Sequence, residues 1–518
     1  MNFKKLLSFV IAVIMLCALA VSCTDNDDDT SKSTSSQNSA VSTGESEDNV
    51  TSEEQSQALV PHLEGAGVNV SDFELKILSS KDDRIWAQEQ FIGYVDDDGK
   101  TDPVSVAVYE RNARLEQEYG FKVVLESMEL GFNEFQKRIR NDFAANTADY
   151  QVIANGSSVI APLTVEGYCY DLYNLEDSYL ELEEEWWDPV TQEDMSIGHH
   201  LYMISGDIMI LDDQFTYAMF FNKDIAENYD YNPYQYVYEN KWTMDVMYEM
   251  MKAVAHSGEG TMDVENGDDT WGLVGVHFDT YQMIMGAGTP QVNKNQDDLP
   301  VFAMNLERNI NAFFKIFDIV TDRERTALKE TYYKWDDPLG AKVTDHFFNG
   351  MALFFPTTVS GVSSEKMRNA EIHYGILPMP KYDEDQDNYA STINPYHFFV
   401  MAIPNNNVED LDKITFCLEA MAYLSREMVT NVYYERTLKL KRFPDDDDSP
   451  VMLDIIFRNR LVDISVIFNW ADCIQYYNNL VFGKNKGIVA YCDSALPKFE
   501  AAMQATIDAY QALDEEQE

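Results

Sequence analysis

Aromatic side chains beside amides and carboxylates are the residues of this sequence best suited to bind a ligand. Trp470 lies between Asn469 and Asp472, and Tyr396 follows Asn394 by two positions. The C–H face of a sugar ring stacks on an aromatic ring, and the sugar hydroxyls need polar side chains as partners. This pattern favours carbohydrate binding, most strongly at Trp470 with Asp472.

Further aromatic residues lie in or beside polar, loop-like segments: Trp86, Trp187, Tyr281 and Trp335. The commoner role of such a ring is packing, either in the core or at an interface between parts of the fold. We expect this role for Trp86, Trp187 and Trp335. We expect Trp470 to face the ligand because it follows a predicted strand end at Phe468.

Motifs for catalysis are weak. The sequence contains no G-x-S-x-G, H-E-x-x-H or phosphate-binding loop. Its 89 Asp and Glu residues leave open a carboxylate pair at the spacing of roughly 5 to 10 Å that a glycosidase needs, but no motif singles one out. Adjacent residues diverge, so His199 and His200 are interpreted as a surface loop. We predict no catalytic residue and no cofactor.

A calcium site is considered in one Gly-containing loop with the polar residues Asp263, Glu265, Asn266, Asp268 and Asp269. The alternating Asp-x-Asp-x-Asp-Gly register of a calcium loop is broken here. We therefore predict a solvated turn and no metal, with Asp263 and Asp268 as weak candidate ligands.

The first two dozen residues have the features of an export signal. Two lysines precede an apolar run, Leu6 to Val21, which is shorter than the roughly 20 residues that a spanning helix needs. Cys23 follows small residues and precedes an abruptly acidic segment. This arrangement resembles a bacterial lipoprotein signal, although Ala20 stands where that family prefers Leu. It implies a signal peptide at 1–22 and a lipid-modified Cys23, the alternative being ordinary secretion with an incidental cysteine.

Residues 23–72 are predicted to form a disordered acidic and Ser-rich tether, since they contain hardly an apolar residue before Ala58. Such a tether would hold a folded body away from a membrane. We expect an exported protein that is lipid-anchored on the outer face of the bacterial cytoplasmic membrane and touches the membrane through this anchor only.

The formal net charge is −51, and the acidic residues are spread along the whole chain. A surface this negative repels nucleic acid and anionic headgroups, so no nucleic acid partner is expected and neutral or cationic ligands are favoured.

Four cysteines lie in the body, Cys169, Cys417, Cys473 and Cys492, and they lack metal-ligand spacing. A disulfide between Cys473 and Cys492 and four buried thiols are both compatible with export.

The elements that must position these side chains alternate between strands and helices. The first predicted elements are a strand at 74–78, a helix at 104–119 ending at Gly120, a strand at 121–125, a helix at 134–145 and a strand at 150–154. This order predicts a mostly parallel sheet covered by helices. Ligands bind beyond the carboxyl ends of such strands, so Ser79, Lys81, Asn155 and Ser157 are candidate ligand-binding residues.

The later predicted elements are strands at 217–221, 353–355 and 398–403, an extended connector at 374–380, a helix capped by Thr243, and helices at 411–425 and 495–513.

These landmarks, in this order, resemble the family 1 extracellular solute-binding proteins of bacterial ABC importers. The resemblance rests on residues 149–156, Phe220-Phe221-Asn222-Lys223-Asp224, 241–245, 348–354, 374–381, and Asn394-Pro395-Tyr396 leading into 402–404. It implies a periplasmic-binding-protein-like fold of two α/β lobes, joined by crossing hinge segments, with a ligand cleft between the lobes and a closing motion on binding.

The resemblance also implies lobe boundaries: 73–210 with 380–445 for the first lobe, and 211–379 with 446–518 for the second. The crossings would lie near 206–213, near 378–381 and beside the surface loop 444–450. Asp212 and Gln214 then lie at the first crossing, and with Thr358 and Asn394 they complete the candidate ligand-binding set.

The function implied is that of a monomeric receptor which delivers a carbohydrate, an oligosaccharide, to the permease subunits of an ABC transporter and performs no chemistry. Two alternatives stay open. A SusD-like surface glycan-binding lipoprotein would share the anchor and the aromatics but is built almost wholly of helices. A secreted glycoside hydrolase would share an aromatic cleft but would release products.

Overall fold

Two β-sheets organise the chain. The computed structural model describes residues 59–80, 89–96, 102–128, 131–406, 408–439 and 446–517. The predicted signal peptide, Cys23, the tether up to Ala58, Lys81 and Trp86 lie outside the described residues. Within the described part, no helix combines the length and apolar character that crossing a membrane requires.

The strands are β1 (Glu74–Ser80), β2 (Lys122–Met128), β3 (Val152–Gly156), β4 (Tyr217–Asn222), β5 (Trp271–Gly275), β6 (Val292–Lys294), β7 (Pro300–Phe302), β8 (Thr326–Leu328), β9 (Ala352–Thr358), β10 (Tyr374–Leu377), β11 (Ser391–Thr392), β12 (Phe399–Ala402) and β13 (Arg460–Leu461). The α-helices are Pro103–Tyr119, Phe132–Ala145, Ser157–Val165, Pro189–Met195, Leu211–Phe215, Lys223–Asn228, Pro233–Tyr238, Met244–Val254, Asp279–Gly286, Glu307–Thr321, Lys329–Tyr332, Ala341–Phe348, Glu365–Asn369, Leu411–Leu424, Asp448–Arg458, Ile464–Ile467, Tyr476–Phe482 and Ile488–Gln517.

The first sheet has the strand order β12-β3-β1-β2. β1 runs parallel to both β2 and β3, with Ile77 opposite Leu125 and Val152, as the alternation of strands and helices predicted. β12 completes the sheet in the antiparallel direction. Every residue of β3 is buried, which is typical of a strand covered on both faces.

The second sheet has the order β10-β4-β9-β5-β8. β4 runs antiparallel to β9 and β10, whereas β5 runs parallel to β8 and β9. The segment predicted as an extended connector is in part a strand, since Ile376 of β10 pairs with Phe220 of β4. Pro378 excludes a helix here, but it follows the strand and does not interrupt the ladder.

Capping residues end and begin helices at the predicted places. Gly120 adopts the left-handed conformation, with φ of 81°, after the helix Pro103–Tyr119. The hydroxyl of Thr243 accepts the backbone N–H of Val246 at 3.3 Å and so caps the helix Met244–Val254.

The folded body begins earlier than predicted. Residues 59–72 were assigned to the tether, but Val60, Leu63 and Val70 are buried in the core. His62 also contacts the buried carboxylate of Glu419, at 2.8 Å. A few apolar side chains are enough here because the segment docks on a surface that the rest of the chain has already built.

The segments that cross between the two sheets lie side by side. Thr216, just before β4, bridges to Ile393, and β11 pairs in parallel with β13. The sheets and their helices thus form two α/β lobes, as predicted. Two sheets do not fit the almost wholly helical alternative.

A candidate ligand-binding site at the strand ends

The carboxyl ends of β1 and β3 form the first wall of the candidate site. The amide of Asn155 is held in place, because it donates to Ser80 Oγ and accepts the N–H of Gly156, both at 2.8 Å. The hydroxyls of Ser79 and Ser157 are buried and have no hydrogen-bond partner in the described structure. Such unpaired hydroxyls cost about 1–3 kcal/mol each, so a ligand that pairs them gains affinity.

Residues 394–398 connect this wall to the second lobe. The N–H of Ser157 donates to the carbonyl of Phe398 at 2.7 Å. At the other end, the N–H of Asn394 donates to the carbonyl of Phe215 at 2.8 Å, and the Asn394 side chain accepts the N–H of Tyr396 at 3.0 Å. These bonds fix the backbone that presents Tyr396.

Tyr396 is the exposed end of a row of three aromatic rings. Its ring centroid lies 5.3 Å from that of Phe278, which in turn lies 5.5 Å from that of Tyr281. Gln475 donates to the Tyr396 hydroxyl at 2.8 Å. Tyr396 is 45% exposed, so much of a rigidly held ring remains available for stacking.

His277 and Phe278 follow the end of β5, at the edge of the second sheet. The backbone N–H of His277 donates to Glu330 at 2.8 Å, and its Nε2 lies 3.2 Å from the hydroxyl of Thr331. Phe482, which is 69% exposed, packs its ring edge-to-face on His277 at 5.8 Å. This edge therefore offers a second exposed ring beside polar groups.

Burial shifts the pKa values of two ionisable groups at this edge towards their uncharged forms. Burial lowers the pKa of His277, with Glu330 opposing, so the neutral imidazole is favoured. Burial raises the pKa of Asp279 well above its usual range, and the N–H of Val276 offsets this only in part. Exposed rings and hydroxyls beside a neutral imidazole suit a neutral polar ligand.

The structure brings part of the predicted set together. The candidates that lie at the strand ends or on the connecting segment are Ser79, Asn155, Ser157, Thr358, Asn394 and Tyr396. Asp212 is buried at the first crossing, 3.5 Å from Arg460, and Gln214 is half-buried on the same helix. Asp472 is exposed, 3.3 Å from the amide of Asn469.

Trp470, predicted to stack on the ligand, is packed inside the protein. It is 3% exposed, and its Nε1 donates to the hydroxyl of Thr506 at 2.9 Å. The indole stacks on Phe468 at 5.6 Å and meets the ring of Phe499 edge-on at 5.7 Å. Ligand stacking on Trp470 does not fit this packing. The predicted strand before it is the short helix Ile464–Ile467, which turns the following ring inward.

The other aromatic and cysteine predictions have mixed outcomes. Trp187 is buried and donates to Glu419 at 2.7 Å, which fits the packing role expected of it. Trp335, also expected to pack, is 77% exposed because it lies in a loop beyond the helix Lys329–Tyr332.

Four cysteines in the described part are free and buried: Cys169, Cys417, Cys473 and Cys492.

The Asp-rich loop of the second lobe is organised around an anion. The buried carboxylate of Asp269 accepts the N–H groups of Gly258 at 3.0 Å and Asp263 at 2.7 Å, and the amide of Asn266 at 3.1 Å. N–H donors that converge on a carboxylate give the opposite polarity to a calcium site. Across the described ranges, which include Asp263 and Asp268, no group of three or more His, Cys, Asp or Glu residues could hold a metal ion.

A separate, charged cavity of about 440 Å³ lies beside the first predicted crossing, with Asp207, Asp212 and Asp213 on its wall. Arg460 of β13 reaches Asp188 at 2.8 Å, Asp213 at 2.5 Å and Asp212 at 3.5 Å. These side chains are engaged with one another, unlike the unpaired hydroxyls at the strand ends. We call this group of residues, with Asp207 and Arg426, the hinge charge cluster.

Sequence reasoning missed His277, Phe278, Gln475 and Phe482. The first two directly follow the apolar run of β5, so the rule about strand ends applies to them. Gln475 and Phe482 carry no such signal, because they belong to helical segments far along the chain.

Two α/β lobes with a polar and aromatic site at their strand ends define a two-lobed solute-binding protein. Residues 99–409 match the family model described as bacterial extracellular solute-binding protein. The chain belongs to this family, and the resemblance inferred from its sequence is confirmed.

Solved structures share this fold. One is the cyclic α-maltosyl-1,6-maltose binding protein from Arthrobacter globiformis, with a TM-score of 0.54 and 10% identity, covering 84% of this chain and 99% of that one. Another is a cyclo/maltodextrin-binding protein complexed with maltotetraose. Its TM-score is 0.52 at 14% identity, and the match covers 86% of this chain and 97% of that one. A third is an ABC substrate-binding protein from Listeria monocytogenes in complex with cycloalternan. Its TM-score is 0.51 at 13% identity, and the match covers 83% of this chain and 99% of that one. At these identities the similarity shows the fold alone, and no curated protein sequence matches the chain.

Proposed function

We propose that this protein is a receptor that captures a carbohydrate, an oligosaccharide, outside the cell and delivers it to the permease subunits of an ABC transporter. Its family consists of binding proteins, and not of enzymes. Maltotetraose and cycloalternan are the ligands in two of the structures that share its fold, which supports a carbohydrate as the ligand.

The observation that carries the proposal is the exposed ring of Tyr396, held on Phe278 and by Gln475, on the segment that the N–H of Ser157 binds at Phe398. The unpaired hydroxyls of Ser79 and Ser157 lie at the ends of the strands that this segment reaches. A ring for the apolar face of a sugar and hydroxyls for its polar edge are the two requirements of carbohydrate recognition. The uncharged state favoured for His277 supports a neutral ligand.

The side-by-side crossings support a closing motion of the two lobes around the ligand. A receptor of this kind does no chemistry and releases its ligand unchanged. We propose that it acts as a monomer.

We also propose that the mature chain begins at a diacylglyceryl-modified Cys23, which holds the receptor on the outer face of the cytoplasmic membrane. Mass spectrometry of membrane-extracted protein should find the lipid on this residue. A free Cys23, or cleavage at another site, would contradict the anchor without touching the carbohydrate proposal.

A thermal-shift screen of the purified protein against oligosaccharides, peptides and amines tests the ligand class. A ligand at 100 times its Kd adds about 2.7 kcal/mol of stability and should be seen clearly. Chromatography of the same mixtures should recover every sugar intact. Stabilisation by peptides alone, or release of sugar products, would refute the proposed receptor.

A further inference from the structure

Asp207 extends the hinge charge cluster into the first lobe. Its carboxylate accepts the hydroxyl of Thr430 at 2.8 Å and lies 3.4 Å from Arg426. Arg426 also binds the exposed carboxylate of Glu185 at 2.8 Å. Asp207 and Arg426 both line the cavity that contains Arg460.

The cluster holds more negative than positive charge. Its buried carboxylates are Asp188, Asp207, Asp212 and Asp213. Within the described structure, these four face the two guanidinium groups of Arg426 and Arg460. The remaining titratable groups on the cavity wall are Glu185, Asp454, Arg458 and Tyr434, and Tyr434 donates to Asp454. Burying two carboxylates in excess is costly unless protons neutralise them.

Proton affinities in the cluster follow from this excess. Burial raises the pKa of Asp207 to about 7, although Arg426 opposes the rise. Burial also raises the pKa of Asp212 and of Asp213, with Arg460 opposing and neighbouring carboxylates adding to the effect. Near neutral pH the cluster therefore retains protons that aspartates in water have lost.

The walls of the cavity come from parts that move when lobes rotate. By the lobe boundaries inferred from the sequence, Asp188 and Arg426 belong to the first lobe, and Asp207 and Asp213 flank the first crossing. Arg460 lies on the strand β13 that pairs with β11. A rotation about the crossings changes the distance from Arg460 to Asp188 and the access of water to the carboxylates. The proton affinity of the cluster therefore depends on how the lobes are arranged.

We propose that the hinge charge cluster couples the arrangement of the lobes to proton binding, so that the resting state of the ligand-free protein changes with pH near neutrality. The arrangement described here binds more protons than one in which water enters the cavity, so a lower pH favours it. If opening returns Asp207 to an ordinary pKa near 4, the equilibrium between the two arrangements shifts about tenfold from pH 6 to pH 8.

Solution X-ray scattering of the ligand-free full chain at a series of pH values from 6 to 8 tests this coupling. The radius of gyration should differ between the two ends of the series. Asp207→Asn should reduce the difference in radius between the two ends, because the amide cannot ionise and only the other carboxylates of the cluster still respond. Arg426→Ala should move the midpoint of the change to higher pH, because loss of the cation raises the proton affinity of Asp207.

The matched control is Asp269→Asn, which replaces a buried aspartate of the second lobe whose partners lie in its own loop. It should keep the pH response of the unmodified protein, which separates the cluster from general repulsion in a chain of charge −51. A radius that does not change with pH, or an Asp207→Asn variant that retains the full change, would overturn the proposal. Should Asp207→Asn not fold, an unmoved midpoint in Arg426→Ala overturns it equally. No ligand is used, so the outcome is independent of the proposed carbohydrate specificity.

Discussion

Tyr396→Ala should weaken carbohydrate binding strongly while leaving the fold intact. The ring is 45% exposed, and an aromatic side chain of roughly 200 Å² therefore leaves about 90 Å² for a ligand to cover. At about 25 cal/mol per Å², that area contributes about 2 kcal/mol, and ring stacking adds about 0.5–1.5 kcal/mol. A loss of about 2.5–3.5 kcal/mol corresponds to a Kd roughly 60 to 300 times higher.

Tyr396→Phe separates the ring from its hydroxyl. This variant keeps the stacking surface and loses the hydrogen bond that the hydroxyl accepts from Gln475. A neutral hydrogen bond contributes about 0.5–1.5 kcal/mol, so the Kd should rise by about tenfold at most.

Titration calorimetry with the tightest sugar from the screen measures both variants, and circular dichroism checks their folding. Tyr229→Ala is the control, because Tyr229 is similarly exposed, at 41%, but follows the helix Lys223–Asn228 away from the strand ends. If folded Tyr396→Ala binds within twofold of the unmodified protein, the ligand does not stack on this ring and the proposed site is wrong.

Three other substitutions test the packing, the unpaired hydroxyls and the buried carboxylates. Trp470→Ala should lower the free energy of unfolding in urea by about 3–5 kcal/mol, because it empties a packed core site, with no loss of affinity in the folded fraction. Ser157→Ala should leave the free energy of unfolding unchanged or raise it, because the hydroxyl has no hydrogen-bond partner in the described structure. The same variant should weaken sugar binding in calorimetry, and an unaltered affinity would remove Ser157 from the site. In the folded protein Asp207 has a pKa of about 7, whereas in the unfolded chain an aspartate loses its proton above about pH 4. Between these values the folded state binds the proton more tightly, so the contribution of Asp207 to stability falls as pH rises from 4 to 7. Asp207→Asn should reduce this slope in urea unfolding measured across that range, and an unchanged slope would contradict the raised proton affinity.

Strands and caps could be predicted from the sequence because their signals are local. Continuous apolar runs place β3 and β4, and the side chains of Thr243 and Asn222 cap the helices that begin after them. The position of Ser157 directly after β3 was predicted in the same way, since a strand end is visible in the chain itself.

The orientation of Trp470 could not be predicted, because it depends on distant residues and on unusual backbone. Asn469, Ala471 and Asp472 all have positive φ, which only Gly adopts readily, so the local sequence gives little warning of this turn. Thr506, the partner of the indole, lies 36 positions further along the chain. Similarly, Gln475 meets Tyr396 only through the tertiary fold.

The start of the folded body was missed for a related reason. Residues 59–72 contain few apolar residues among many polar ones, and such a composition predicts a disordered segment. The surface on which this segment packs includes Glu419, which lies more than 350 positions from its partner His62. The composition of residues 59–72 cannot indicate a contact with so distant a residue.

Glu419 also has a mechanical consequence. Its buried carboxylate accepts the indole N–H groups of Trp186 and Trp187, at 2.9 and 2.7 Å, and the backbone N–H of Glu181 at 3.1 Å, while His62 lies 2.8 Å away. Part of any load that pulls on the chain from the N-terminal side therefore passes through His62 to this carboxylate, and from it to the helix Leu411–Leu424. If the proposed anchor holds the chain at its N-terminal side, the lobe that contains Glu419 would stay in place, and closure around a ligand would move the other lobe towards it.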